Sequence, residues 1–303
     1  MNVTEIFLDT SIIKIKHVED YSNIIFGKNY SDFIDFINTN GIGDTCKINV
    51  AEIVVEEFKK QIYDNFTEDE TNLKNYINKF RVYYGLSLPD AKDFKKSLND
   101  QIREYIEAEN INIVLTPKER SIWNKIINKS INKRKPFNGG NSESDKGFKD
   151  ELQWESIVEY AKKTPNELFI LITKNSNDFT NELCDEFYSE TSKKIEIYYE
   201  IGVAQSRLLE VNQIQSNYMF VESYVNSMFD SGELYEIVSR KIKDYYDVNI
   251  ESITKYYDLI DQGNNNYKFF IDTLDNETTS TFIVECQLNS KNEIIIGDVI
   301  ICL

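Results

Sequence analysis

The chain has 303 residues, 41% of them hydrophobic, and a formal charge of −17, so it can bury a domain-sized core while its overall field repels polyanions. No window approaches the roughly 18 consecutive apolar residues of a spanning helix, and MNVTEIFLDTS lacks the basic start and small-residue cleavage site of a signal peptide, so a cytoplasmic location is expected. His17 is the only histidine, and Cys46, Cys184, Cys286 and Cys302 are scattered without a CxxC pair, which excludes a Ser-His-Asp triad, a histidine-rich zinc site and a disulfide framework and leaves carboxylates to carry any acid-base or metal chemistry.

Residues 3–8 read as a short strand that stops at Asp9, Thr10 and Ser11. Residues 21–38 carry aromatic and apolar side chains at helical spacing and end at the glycine-bearing turn NGIGD. Residues 47–50 read as a strand entering a helix over 51–63. From 66 to 132 the pattern is mostly helical, broken at GLSLPD and at Thr116-Pro117, where Thr116 is the expected N-cap, Pro117 the first helical residue and Glu119 the third. This predicts a long helical insertion over about 64–135. A glycine- and proline-bearing connection over 133–147 leads to a helix over 150–162, a strand over 168–173 and a further strand over 195–200. That alternation indicates an α/β domain with a mainly parallel sheet. Residues 204–246 are again helical, and 267–272, 279–288 and 293–301 read as an antiparallel meander. The change in patterning places a boundary near Tyr218, giving one domain over 1–217 and a small α+β module over 218–303.

Charge is unevenly distributed. Residues 201–303 hold 7 Lys/Arg against 16 Asp/Glu, a net of −9. Residues 118–135 run the other way, with seven basic residues and one acid. Lys125 and Lys129 in this run, with Lys146 further on, are candidate contacts for a polyanionic substrate.

Four acids stand at or just beyond the ends of hydrophobic runs: Asp9 after IFL, Glu57 in VAEIVVEEF, Asp150 in KGFKDELQWESIV, and Asp178 in TKNSNDF after LFILIT. Helical register separates them from neighbouring acids. Asp150 aligns with Trp154, Ile157, Val158 and Ala161, at the top of a buried stripe, whereas Glu151, Glu155 and Glu159 repeat every four residues on a face expected to be solvated. Glu57 follows Ile53 and Val54 at offsets of four and three and points to the core margin, while Glu52, Glu56 and Lys60 form an exposed ladder. A carboxylate at a core margin is costly unless paired, protonated or bound to metal. The bland alternatives are a helix cap for Asp150 or Asp178 and a core-edge ion pair for Glu57.

DTSII, VVEEF, KGFKDELQWESI and TKNSNDF together resemble the four motifs of PIN-like nuclease domains, over roughly residues 1–200. The resemblance implies a three-layer α/β sandwich around a mainly parallel sheet, with Asp9, Glu57, Asp150 and Asp178 as catalytic acids holding Mg²⁺ or Mn²⁺. It also implies phosphodiester hydrolysis, of RNA before DNA, with Thr10, Ser11 and Asn175 near the substrate. Asn175 stands where many PIN domains carry an acid, which weakens a second cation site. The function expected is a metal-dependent endoribonuclease used as a regulated toxin or antiphage effector, with a regulatory protein partner. The alternative is a catalytically weak PIN-like module that binds a partner protein. A haloacid-dehalogenase-like phosphatase also begins with an acid after a strand, but it needs a second Asp where this chain has Ser11.

Overall fold

The computed structural model describes residues 3–85, 93–137, 147–275 and 278–302. The chain divides into two compact units, Met1–Arg207 and Leu208–Leu303, so the division falls earlier than Tyr218 and inside a helix.

The first unit is built on a five-stranded sheet of order β3-β2-β1-β4-β5, with β1 at Thr4–Leu8, β2 at Cys46–Ala51, β3 at Asn112–Val114, β4 at Leu168–Ile172 and β5 at Lys194–Tyr198. Every pairing is parallel. Parallel strands covered on both faces must be apolar throughout, and this accounts for TEIFL, all five residues buried, and for LFILI, of which four are buried. Among the described residues eight helices lie between or after the strands: α1 (Thr10–Ile13), α2 (Lys28–Thr39), α3 (Glu52–Tyr84), α4 (Phe94–Ala108), α5 (Arg120–Ile131), α6 (Phe148–Lys163), α7 (Asn181–Thr191) and the start of α8 (Ile201–Ser231). One core cluster joins Phe7, Phe169 and Leu171 of the sheet to Trp154, Ile157, Val158 and Ala161 of α6 and to Phe187 of α7.

Several local expectations are corrected. The helix expected from residue 21 begins only at Lys28, because Gly27 lies so close to the chain before it that a Cβ there would stand 2.0 Å from the Lys14 carbonyl oxygen. The predicted insertion over 64–135 is not wholly helical: its middle supplies β3, which pairs with β2. Thr116 does not cap α5, which starts at Arg120 behind Glu119; the Thr116 N–H donates instead to Glu52 Oε2 (3.0 Å), so Glu52 is a half-buried staple rather than part of a solvated ladder.

The second unit packs a four-stranded antiparallel sheet, β6 (Ser252–Gly263), β7 (Asn266–Asp275), β8 (Thr278–Leu288) and β9 (Ile294–Ile301), against helical residues Val221, Val225, Met228, Leu234, Val238 and Ile242. The last three belong to α9 (Glu233–Tyr246). Alternate residues of β7 and β8, including Tyr267, Phe269, Ile271, Phe282 and Val284, face that core, as period-2 patterning requires. β6 escaped the sequence reading because register shifts and a left-handed Asp258 (φ 54°) break its alternation. No helix among the described residues is long and apolar enough to cross a membrane.

Candidate active site

In an open parallel sheet the ligand crevice lies beyond the carboxyl ends of strands where the strand order reverses. Here that point is between β1 and β4, the central neighbours. Asp9 follows β1 directly, and its N–H donates to the carbonyl of Ile172 at the end of β4 (3.1 Å). The chain leaving β4 supplies Thr173, Asn175 and Asp178. The helix after β2 supplies Glu57, and the first turn of α6 supplies Asp150.

Asp9 is buried and caps α1. Its Oδ2 accepts from Ser11 Oγ (2.7 Å) and Thr173 Oγ1 (2.9 Å), and Ser11 Oγ in turn accepts the Lys174 N–H (2.9 Å). The two loops that end β1 and β4 are thereby tied together through one carboxylate. Thr10 donates to Glu57 Oε2 (2.7 Å), while Lys149 Nζ pairs with Glu57 Oε1 (2.7 Å). The Asn175 amide nitrogen donates to Asp178 Oδ2 (2.7 Å) and, more weakly, to Asp150 Oδ1 (3.3 Å), which bridges the acids of the third and fourth motifs.

Entry into α6 is fixed by Gly147. Its φ of 99° disfavours a side chain, and a Cβ would stand 2.6 Å from the Pro136 carbonyl oxygen. Helix α6 therefore starts against the 136–137 segment, with Asp150 in its first turn.

Asp150 reports the electrostatics of the group. Burial first, then the neighbouring carboxylates Asp9 and Asp178 and to a smaller degree Glu57, push its carboxyl up to about 6, while the Asn175 hydrogen bond pulls the other way. All four acids picked out in the sequence thus act on one locus. Their oxygens are nevertheless turned to hydroxyls, to Asn175 and to Lys149. Among the described residues no three acidic, histidine or cysteine side chains form a ready-made metal cage. The donor set fits a hard divalent cation by its chemistry, being oxygen throughout, and the elevated Asp150 marks negative charge that a cation would relieve.

A family profile described as PIN domain matches residues 6–179. The chain belongs to the PIN domain family. PIN domains are generally metal-dependent nucleases that use divalent cations and act on nucleic acids. The matched span runs from β1 to the loop after β4 and contains all four acids; the second unit lies outside it. No curated protein and no solved structure matches the chain.

The basic residues fare differently in this PIN domain. Lys129 is buried and contacts Glu151, Glu155 and Glu186 at 3.1, 3.6 and 2.6 Å. Lys125 pairs with Glu155 (2.7 Å), Glu186 (3.2 Å) and Glu190. Although burial works against its charge, Glu155 and Glu190 hold the Lys125 ammonium above the ordinary lysine value. The expected solvated ladder of Glu151 and Glu155 is corrected with them: both are almost fully buried, because α5 brings two lysines four residues apart against them. Burial keeps the Glu151 carboxyl well above the usual range despite the pull of Lys129. Neither lysine is a free substrate contact. Lys146 lies outside the described residues. Two site residues went unnoticed in the sequence: Lys149, exposed beside Glu57, and Thr173, which holds Asp9. Both flank motif acids, and that adjacency was the available signal.

Proposed function

We propose that this chain is a metal-dependent endoribonuclease in which Asp9, Asp150 and Asp178, with Glu57, hold Mg²⁺ or Mn²⁺. The observation that supports this most is the carboxyl of Asp150, raised first by burial and then by acids from the other three motifs, one of them, Asp9, 141 positions away in sequence. When bound, the cation would polarise the scissile phosphate and lower the pKa of the attacking water. The protein's own part is positioning. Ser11 and Thr173 orient Asp9, Asn175 links Asp150 to Asp178, and Thr10 with Lys149 restrains Glu57. The choice of RNA, and the narrower role of a regulated toxin or antiphage effector, rest on the family resemblance.

The absence of a ready-made cage among the described residues favours a second reading, a PIN-like module that binds a partner without cutting. Incubation with labelled RNA and DNA panels, with Mn²⁺ or with chelator, decides between them. The nuclease reading expects Mn²⁺-dependent cleavage that Asp9→Asn reduces by at least about 10²-fold, as loss of an electrostatic stabiliser does elsewhere. Cleavage that persists undiminished in Asp9→Asn, or no cleavage of any substrate, overturns it.

A further inference from the structure

Helix α3 is far longer than the sheet it packs on. Its buried residues, Val54, Val55, Phe58 and Ile62, all belong to its first third, and from Thr71 to Tyr84 none is buried. A helix segment without a core to pack on is expected to be polar, yet this one reads TNLKNYINKFRVYY. Leu73, Tyr76, Phe80 and Tyr83 recur at spacings of three and four, with Tyr84 beside them, so they share one face. Tyr76, Tyr83 and Tyr84 are 62%, 83% and 71% exposed.

Charge on this stretch opposes that of the whole molecule. Residues 71–84 hold Lys74, Lys79 and Arg81 and no acid, in a chain of net charge −17. At 100° per residue Lys74 and Arg81 flank one side of the aromatic stripe and Lys79 the other. Lys74 pairs with Glu70 (2.8 Å), and the Lys79 ammonium lies over the Tyr76 ring, 5.6 Å from its centroid. Among the described residues neither Lys79 nor Arg81 is joined to a carboxylate. By contrast, Lys125 and Lys129 of the sequence's most basic run are neutralised by glutamates. The distal half of α3 is a face both cationic and aromatic.

We propose that this face is a second nucleic-acid contact, which takes single-stranded RNA by stacking bases on Tyr76, Phe80, Tyr83 and Tyr84 and by pairing phosphates with Lys79 and Arg81. Exposed aromatics interleaved with cations suit a single strand, since every base has a π-face and each phosphate a charge. The choice of RNA as ligand rests on the nuclease reading above. Glu57 and Tyr84 stand 27 residues apart on one helix, about 40 Å at 1.5 Å per residue, the span of roughly a dozen stacked nucleotides. The contact therefore acts on long substrates and not on short ones.

The test uses the full chain in the Asp9→Asn background, so that binding is read without cleavage, with a fluorescein-labelled 30-nucleotide single-stranded RNA and anisotropy over a salt series. Lys79→Glu with Arg81→Glu should weaken binding at least tenfold. The slope of log K against log salt should fall by about 1.4, two phosphate contacts at about 0.7 each. Tyr83→Ala with Tyr84→Ala should weaken binding with the slope unchanged. All four positions are solvent-exposed, and Lys79→Gln with Arg81→Gln repeats the test if the double glutamate variant unfolds. Unchanged affinity and slope overturn the proposal. So does unchanged RNA binding accompanied by capture of an acidic amphipathic peptide, which assigns the face to a protein partner. Because the readout is binding, it is separable from the nuclease reading: RNA held on α3 by a protein that cuts nothing refutes the chemistry alone.

Discussion

Replacing Asp150 by Asn tests the electrostatic description of the site most directly. The carboxyl is pushed up to about 6 from an ordinary 3.8, a difference of about two units, or roughly 3 kcal/mol at 1.36 kcal/mol per unit. A folded-state pKa above the unfolded one means that the native protein binds the proton more tightly. The resulting stability is fully present below pH 3.8 and is lost as pH rises through 6. Above pH 7 the metal-free protein therefore carries an ionised Asp150 whose burial and neighbours oppose it. Linkage over the accessible range gives a loss of about 1.4 kcal/mol between pH 5 and pH 7.5. Asn is neutral throughout, so Asp150→Asn should lack this component. Urea denaturation of both proteins in chelator, at the two pH values, reads the difference: relative to wild type, the variant should gain about 1.4 kcal/mol on going to pH 7.5. Addition of Mn²⁺ should reverse the advantage, since the cation stabilises only the charged site. Identical pH dependence in the two proteins would refute the reasoning, for it would mean that neither burial nor Asp9, Asp178 and Glu57 raise the Asp150 carboxyl.

Lys129→Met should destabilise the first unit by about 3–5 kcal/mol in the same denaturation assay, because it strands the buried Glu151 without its lysine and leaves Lys125 alone to face Glu155 and Glu186; a loss under about 1 kcal/mol would show that the network is solvated. Lys149→Met removes an ammonium that competes with any cation for Glu57. As the pair is exposed on the lysine side and worth at most about 1 kcal/mol, Mn²⁺ binding followed by calorimetry should tighten by up to about fivefold, whereas weaker binding would assign Lys149 to holding the site open.

The strands that carry the site were legible because parallel strands buried on both faces write themselves as short apolar runs. Asp9 and Thr173 mark where IFL and LFILI end. Trp154, Ile157, Val158 and Ala161 were legible for a similar reason, a helical stripe against a sheet. Glu151 and Glu155 were not. An i, i+4 pair of glutamates looks the same whether it faces water or two lysines on another helix, and only the approach of α5 to α6 distinguishes the cases. Strand β3 is three residues long, too short for a period to register, and β6 hides its period behind bulges. Gly27 moved the start of α2 through a backbone contact that no local pattern encodes.

The contrast between the two acidic groups of the first unit bears on which of them does chemistry. Glu151 and Glu155 are almost fully buried and Glu186 and Glu190 half-buried, yet each is met by Lys125 or Lys129, two ammoniums held in place by packing. A paired set of this kind rigidifies α5 against α6 and has no reason to recruit a further cation. Among the acids at the ends of β1 and β4 and on α3 and α6, Glu57 is met by Lys149, a lysine more than half exposed. Thr10, Ser11, Thr173 and Asn175 are neutral donors that orient a carboxylate without cancelling its charge. Donors of this kind leave a carboxylate's charge available to a hard divalent ion. The network on α5 and the site on α6 also meet within one helical turn, at Glu151 and Asp150. The lysines that were expected to guide substrate therefore do something more local: Lys129 holds Glu151, in the turn that presents Asp150, and Lys125 holds Glu155 one turn further on.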